Sequence, residues 1–321
     1  MQRTNDLSKL KYIIYIVLIL ALSFFLPRII PGSPLALSET DTYILNQSLP
    51  EDTFNAFKDY YAPEKPLVDQ FLIYTKHVFT LDLGYSFYFK MPVLSLILGR
   101  RPWTLFLSMV SLILSFFVAV PLAIKDALKD QRSRLKLISM IALQSIPVFI
   151  LGLIIQLIFS YRLKWFPSGG AYNVGVQFFS KSFYADLISH SFLPLMALVI
   201  GEVPSLYIMA YNSAKKINKE NYIIMANYLN IEKKDINKKF IFYNMVPEIL
   251  GKLNIQFLYA ITGSIFVESI FSYPGMGQLL KIATSSRDYP LMQGILLLIA
   301  FYGFFVTLIF ESLLKKFTTR Y

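Results

Sequence analysis

Six apolar runs separated by polar stretches set the pattern of this chain. Span 1 covers roughly Tyr12 to Leu26, continuing to Ile30 if tilted. Span 2 runs from about Trp103 to Ile124, and span 3 from about Leu137 to Phe159. Span 4 covers about Phe192 to Ala210, span 5 about Ile249 to Ile270, and span 6 about Leu291 to Phe310. Each approaches or exceeds the roughly 20 residues that a helix needs to cross a bilayer. The pattern predicts an all-α, polytopic membrane helix bundle of six transmembrane helices. The expected division is 1–30 for the N-terminus and span 1, 31–101 for an extracytoplasmic helical segment, and 102–321 for a five-span core. Segment 31–101 is too long for a structureless connector. Asp52 to Tyr60 and Pro66 to Val78 read as its helices.

The core contains a polar interruption, 212–247, with seven lysines against two glutamates and one aspartate. Tyr222, Met225, Ala226 and Leu229 fall at i, i+3, i+4 and i+7, the spacing of one helix face. Asn221 reads as the N-cap. Asn230 sits where a helix can end in a left-handed residue. A second periodic set follows at Ile236, Phe240 and Tyr243. Helices this short are marginal alone in water, so the apolar face needs a surface. Two surfaces suit it: a groove in another protein or the lipid headgroups.

Composition agrees with the membrane reading. The 321 residues are 55% hydrophobic and only 16% charged, well below the usual soluble quarter. The net charge of +11 does not point to nucleic acid, because the cations gather in particular loops. Five lie in 125–136, seven in 212–247, and three at each terminus. All four segments share one side of a six-span chain, so that side is cytoplasmic. The outer loops 162–188 and 271–290 carry three and two. Segment 28–101 carries seven, but long segments count little in this rule. Arg3, Lys9 and Lys11 precede the first apolar run without a small-residue cleavage site behind it, which reads as an uncleaved first span.

Chemistry-bearing groups are sparse. There is no cysteine, hence no thiol catalysis or cysteine metal site. His77 and His190 are too few for a histidine-rich site. GxxxxGK[ST], HExxH and GxSxG are all absent. The chain therefore does not hydrolyse ATP through a phosphate loop, and it is not expected to be an enzyme. Glu202 is the most central ionisable residue of the spans. A charge there costs about 2.5–3.5 kcal/mol on insertion scales, so Glu202 is a candidate for a water-filled translocation path; the alternative is a hydrogen bond to a neighbouring helix. Lys252, Glu268 and Glu311 lie near span ends, where charge is cheap. Pro147, Pro194 and Pro204 are expected to kink or loosen helices, while Gly152, Gly201 and Gly263 permit close packing.

The stretch Ser272–Gly294 holds a tight turn at Pro274-Gly275-Met276-Gly277 and a short helix over Gln278 to Thr284. Arg287 and Asp288 cannot both be buried cheaply. Gly275, Gly277, Arg287 and Asp288 are therefore placed in an outer-face segment between spans 5 and 6.

These residues also carry a resemblance. FVESIFSYPGMGQLL followed by SSRDYPLMQGILLL resembles the end of the permease subunits of binding-protein-dependent ABC importers, peptide/nickel class. LPRIIPGSP, EKPLVDQFLIYTKHVFTLDLGYSF, RRPWTLFLS, QSIPVFILGLIIQLIFSYRLKWFPSGG and HSFLPLMAL resemble successive parts of the same subunits, so the likeness covers nearly the whole chain. Segment 212–247 is similar to the family's EAA-type coupling loop, whose first short helix enters a cleft of the ATPase subunit. The resemblance implies that Tyr222, Met225, Ala226, Leu229 and Asn230 couple to that ATPase. Ala226 falls at the motif's alanine and Asn230 at its glycine. Asn244 and Pro247 fit its end, and Phe240 stands where histidine is common. Met209 and Asn212 replace basic residues usual at the end of span 4.

The resemblance further implies a transmembrane permease subunit that moves peptides, nickel or related small solutes inward by alternating access. The implied partners are a homologous second permease subunit, two ABC ATPase subunits, an extracytoplasmic solute-binding protein and membrane lipid, with no nucleic acid. ATP and Mg would be bound by the ATPase, leaving no cofactor or metal in this chain. The rival readings are a stand-alone channel or ion-coupled transporter, and a non-transporting membrane scaffold.

Overall fold

The computed structural model describes residues 2–29, 60, 65–128, 133–173 and 175–318. The expected helix at Asp52 to Tyr60 lies outside them except for Tyr60. Among the described residues, five helices are long and apolar enough to span a membrane: Lys11–Ile29, Val93–Ala127, Lys181–Ile217, Lys233–Ile270 and Tyr289–Phe317. A sixth span would be the bent pair Leu135–Gln144 and Val148–Arg162. Two compact units are present, one comprising residues up to Pro102 with Leu279–Tyr302, the other Trp103–Gln278 with Gly303–Tyr321.

The first unit holds α1 (Gln2–Ile29), α2 (Leu67–Phe79) and a two-stranded antiparallel hairpin, β1 (Tyr85–Ser86) and β2 (Met91–Pro92). Helix α2 matches the helix expected from Pro66 to Val78. It packs on α1 through Phe24, which is wholly buried and lies 5.5 Å from the Tyr74 ring. Tyr74 also shares a 2.8 Å hydrogen bond with Ser23. Burial raises the Tyr74 phenol above its ordinary pKa. Helix α3 (Val93–Ala127) begins here, ten residues ahead of the expected span 2. Its first turns meet α11 (Tyr289–Thr318) at Gly294, where a Cβ would stand 2.5 Å from Val93 Cγ1.

The second unit contains the rest of α3, then α4 (Ser133–Gln144), α5 (Val148–Ile155) with a π-helical continuation to Arg162, and α6 (Lys181–Ile217). Helix α7 (Asn221–Tyr228) follows. The short α8 (Lys233–Asp235) then runs through π turns at Ile236–Phe242 into α9 (Tyr243–Ile270). Helix α10 (Met276–Ser285) leads out of this unit. The core gathers Leu107, Leu151, Ile155, Leu193, Leu198 and Phe271.

The third span is not the continuous helix that its hydropathy suggests. The pair α4 and α5 is bent by 91°. The physical cause is Pro147. It has no amide hydrogen, it disfavours helical backbone in Ile146 before it, and it sits in extended geometry at φ −58°, ψ 138°. The turn before it tightens to i→i−3 bonds, Ser145 N to Ala142 O and Ile146 N to Leu143 O. By contrast α6 stays one helix although Pro194 and Pro204 lie within it. The three glycines do pack closely: a Cβ at Gly201 or Gly263 would touch Val148 at 3.2 or 3.4 Å, and one at Gly152 would touch Ile270 at 3.5 Å.

Candidate functional site

Helix α7 is the first candidate. Its N-cap is Glu220, one residue before the expected Asn221. The Glu220 carbonyl accepts from Ile223 N and Ile224 N, and no side chain caps the end. Its C-terminus follows the sequence closely. Asn230 has φ 54°. Ile231 N donates to Ala226 O, and Asn230 N to Asn227 O, the paired bonds of a Schellman stop.

The four-residue face divides. Met225 and Leu229 are 63% and 65% exposed and Tyr222 is 41% exposed, whereas Ala226 is 4% exposed. Ala226 lies instead with Ile223, which is wholly buried, on the side that packs against the chain's own body. The reason is that α7 is apolar nearly all round, so the i, i+3 pair Ile223/Ala226 competes with the i, i+3, i+7 set for the name of inner face. Tyr228, 82% exposed, belongs to the outward side and was not legible from the stripe.

The second periodic set also departs from expectation. Ile236, Ile241 and Met245 are buried while Tyr243 is 57% exposed. Five residues separate the first pair, the spacing of the π turns over Ile236–Phe242.

Glu202 is the second candidate. It is 5% exposed on α6 and accepts from Ser111 Oγ and Ser115 Oγ of α3, each at 2.9 Å. The two serines are one helical turn apart, so both hydroxyls meet one carboxylate. Glu202 also lines a cavity of about 440 Å³ among α4, α5, α6 and α9. The hydrogen bond to a neighbouring helix is thus present, and the carboxylate also borders a cavity. Lys252, half-buried, and Gln256 line the same cavity. Gln256 Oε1 is buried without a hydrogen-bond partner among the described residues, which suits an occupant that donates. Sequence reasoning noted Lys252 only as a span-end charge and did not find Gln256, since neither lies near Glu202 along the chain.

The third candidate is the elbow between α9 and α10. Glu268 is wholly buried, contrary to a solvated span end. The chain folds back at once: Tyr273 N donates to Glu268 O, and Gly277 N donates to Glu268 Oε2 at 2.6 Å. Gly275 and Gly277 serve close approach. A Cβ at Gly275 would stand 2.3 Å from the Glu268 carboxyl, and one at Gly277 2.3 Å from Ile265 O. The left-handed residue of the turn is Ser272, at φ 46°. The loop after α5 joins this elbow through Gly170 N to Phe271 O at 2.9 Å.

Arg287 and Asp288 separate as their burial costs require. Arg287 is exposed at φ 54° and Asp288 is 1% exposed. Asp288 caps α11 by accepting from Leu291 N at 3.2 Å. It also accepts from Tyr88 N at 3.1 Å and from the Ser86 hydroxyl. No group of three or more metal-ligating side chains occurs among the described residues.

The oligopeptide transport system permease protein AppB of Bacillus subtilis is 28% identical over 276 residues, 85% of this chain and 84% of that protein. The dipeptide transport system permease protein DppB of Lactococcus lactis subsp. cremoris is 28% identical over 281 residues, 86% and 84% of the two chains. Among solved structures, the inward-facing MetNI methionine ABC transporter shares the fold. Its TM-score is 0.57 at 14% identity, over 69% of this chain and 96% of that chain. The family described as the binding-protein-dependent transport system inner membrane component matches residues 111–321. That match takes in the C-terminal half of α3, the Glu202 cavity, α7 and the elbow, and this chain belongs to that family.

Proposed function

We propose that this chain is one of two membrane subunits of an ATP-driven importer that carries peptides inward by alternating access. The observation that carries the reading is α7: a short, sharply terminated helix whose Ile223 and Ala226 hold it to the body while Tyr222, Met225, Tyr228 and Leu229 stand exposed. Such a helix suits a groove in an ATPase subunit. Closing that partner around ATP would displace α7, and the displacement would pass through Ile236, Ile241 and Met245 into α9. The energy comes from the partner's different affinity for the two states.

Peptides rather than nickel are named because the relatives above are an oligopeptide and a dipeptide permease protein. A solute-binding protein would deliver the peptide on the side opposite α7, near the elbow. The Glu202 cavity would lie on the path, with Lys252 and Gln256 contributing to it. ATP and Mg would be held by the ATPase subunits. Both termini and the lysine-rich loops would face the cytoplasm.

The test is copurification of the full-length chain from its native membrane, with partners identified by mass spectrometry. An ATPase, a second permease chain and a binding protein are expected. Peptide transport by this chain alone in proteoliposomes contradicts the reading in favour of a channel or ion-coupled transporter.

A further inference from the structure

A cleft of about 810 Å³ lies where α3 leaves its membrane-spanning stretch. Its two walls differ in chemistry. Phe116, Phe117, Val120 and Ile124 line it from successive turns of α3, with Phe242 contributing from the π turns. Phe117 is 68% exposed, a poor arrangement in water and a suitable one against hydrocarbon. Lys125 from the last turn of α3 and Lys233, Lys234 and Lys238 from the α8 segment also line it. None of these four is in an ion pair among the described residues, whereas neighbouring Lys239 is paired with Asp235 at 2.9 Å. Four like charges around one cleft repel each other unless an anion enters.

The order along α3 is informative: the aromatic groups come first, toward the middle of the span, and the lysine comes at its end. A phospholipid has the same order, acyl chain toward the middle of the bilayer and phosphate at its surface. We propose that this cleft seats one anionic phospholipid of the bilayer. The lysines hold its phosphodiester, and Phe117 and Val120 take an acyl chain. Asn218 and Asn227, which also line the cleft, supply amide donors to the headgroup. Basic pockets at the cytoplasmic ends of spans favour anionic headgroups for this reason. The lipid would bridge α3 to the segment that follows α7.

The experiment uses the full-length chain in nanodiscs of phosphatidylcholine with a minority of phosphatidylglycerol. After mild detergent extraction, the retained lipids are counted by mass spectrometry. Wild type is expected to retain about one phosphatidylglycerol in preference to phosphatidylcholine, because only the former has net negative charge. The triple variant Lys233→Gln, Lys234→Gln, Lys238→Gln is expected to lose that retention at least about tenfold, since each basic residue near an anionic surface contributes about fivefold. All three side chains are exposed, so the variant should fold. Lys215→Gln, Lys216→Gln, Lys219→Gln changes the charge of the same loop equally but lies outside the cleft, and should keep the lipid. Phe117→Asn should weaken retention with every lysine in place.

Equal loss in both triple variants would reduce the effect to general loop charge and overturn the proposal. Unchanged retention in Phe117→Asn would overturn the acyl seat. Displacement of the lipid from wild type by a protein partner in the purified complex would make the cleft a protein interface instead.

Discussion

Two adjacent substitutions on α7, Met225→Asp and Ala226→Asp, separate a docking face from a packing face. Met225 is 63% exposed. Fully burying a methionine is worth about 1.5–3 kcal/mol, so a partner covering the exposed part gains about 1–2 kcal/mol from it. Aspartate removes that gain and adds an unpaired carboxylate to be desolvated, at several kcal/mol. The partner's affinity should therefore fall by at least about 3 kcal/mol, more than a hundredfold. In the free chain the same change touches solvent and should stay within about 0.5 kcal/mol. Ala226, 4% exposed, reverses this. Its carboxylate would be buried against the chain's own body, so the several kcal/mol fall on the stability of the chain and on the seating of α7. The assay is thermal unfolding of each purified variant beside quantitative retention of the ATPase subunit. Met225→Asp should unfold like wild type and lose the ATPase; Ala226→Asp should unfold earlier. Wild-type ATPase retention by Met225→Asp refutes the docking face, and wild-type stability of Ala226→Asp refutes the inward placement of that residue.

Further outcomes follow from single positions. Asn230, at φ 54°, should accept glycine with little change in thermal unfolding, while Asn230→Val should cost about 1–3 kcal/mol, because a β-branched side chain resists that backbone. Gly277→Ala places a methyl against Ile265 backbone and should destabilise strongly, whereas Gly251→Ala, with nothing within 4 Å of its Cβ, should stabilise α9 by about 0.5–1 kcal/mol; equal unfolding of the two contradicts the elbow geometry. Glu202→Leu leaves the Ser115 hydroxyl without its acceptor, at about 1–3 kcal/mol, while Ser111 keeps its bond to Ser108 O, so it should destabilise more than Glu202→Gln, read by thermal unfolding. Single cysteines at Lys238 and Lys90, both exposed, should react with an impermeant thiol reagent from the inside and the outside respectively; the opposite pattern inverts the topology.

Long-period features were the most legible in the sequence. Sustained hydropathy found the five long helices because twenty apolar residues have few other uses, and Asn230 marked the end of α7 because few other residues accept a left-handed backbone. What failed did so where two local signals compete or where the chain returns on itself. Pro147 signalled a kink, but the 91° break also needed the tightened turn at Ser145 and Ile146, which hydropathy cannot register. On α7 the apolar stripe had two solutions, and only packing decides that Ile223 and Ala226 face inward. The π turns changed the period midway, so Ile236 pairs with Ile241 rather than Phe240. Glu268 looked like a solvated span end because a sequence does not show that Gly275 and Gly277 will fold back over it. The Glu202 cavity was half legible: an intramembrane carboxylate announces itself, but Ser111, Ser115, Lys252 and Gln256 are brought to it only by the fold.

On the proposed function, a partner's ATP drives peptide across this chain. The direct measurement is uptake of labelled peptide into proteoliposomes holding the complete purified complex, with and without ATP, beside the same complex carrying Met225→Asp. Uptake that requires ATP, and that fails in the variant although the chain is still folded and inserted, is the predicted result. Uptake that proceeds equally without ATP, or that is untouched by Met225→Asp, would contradict it.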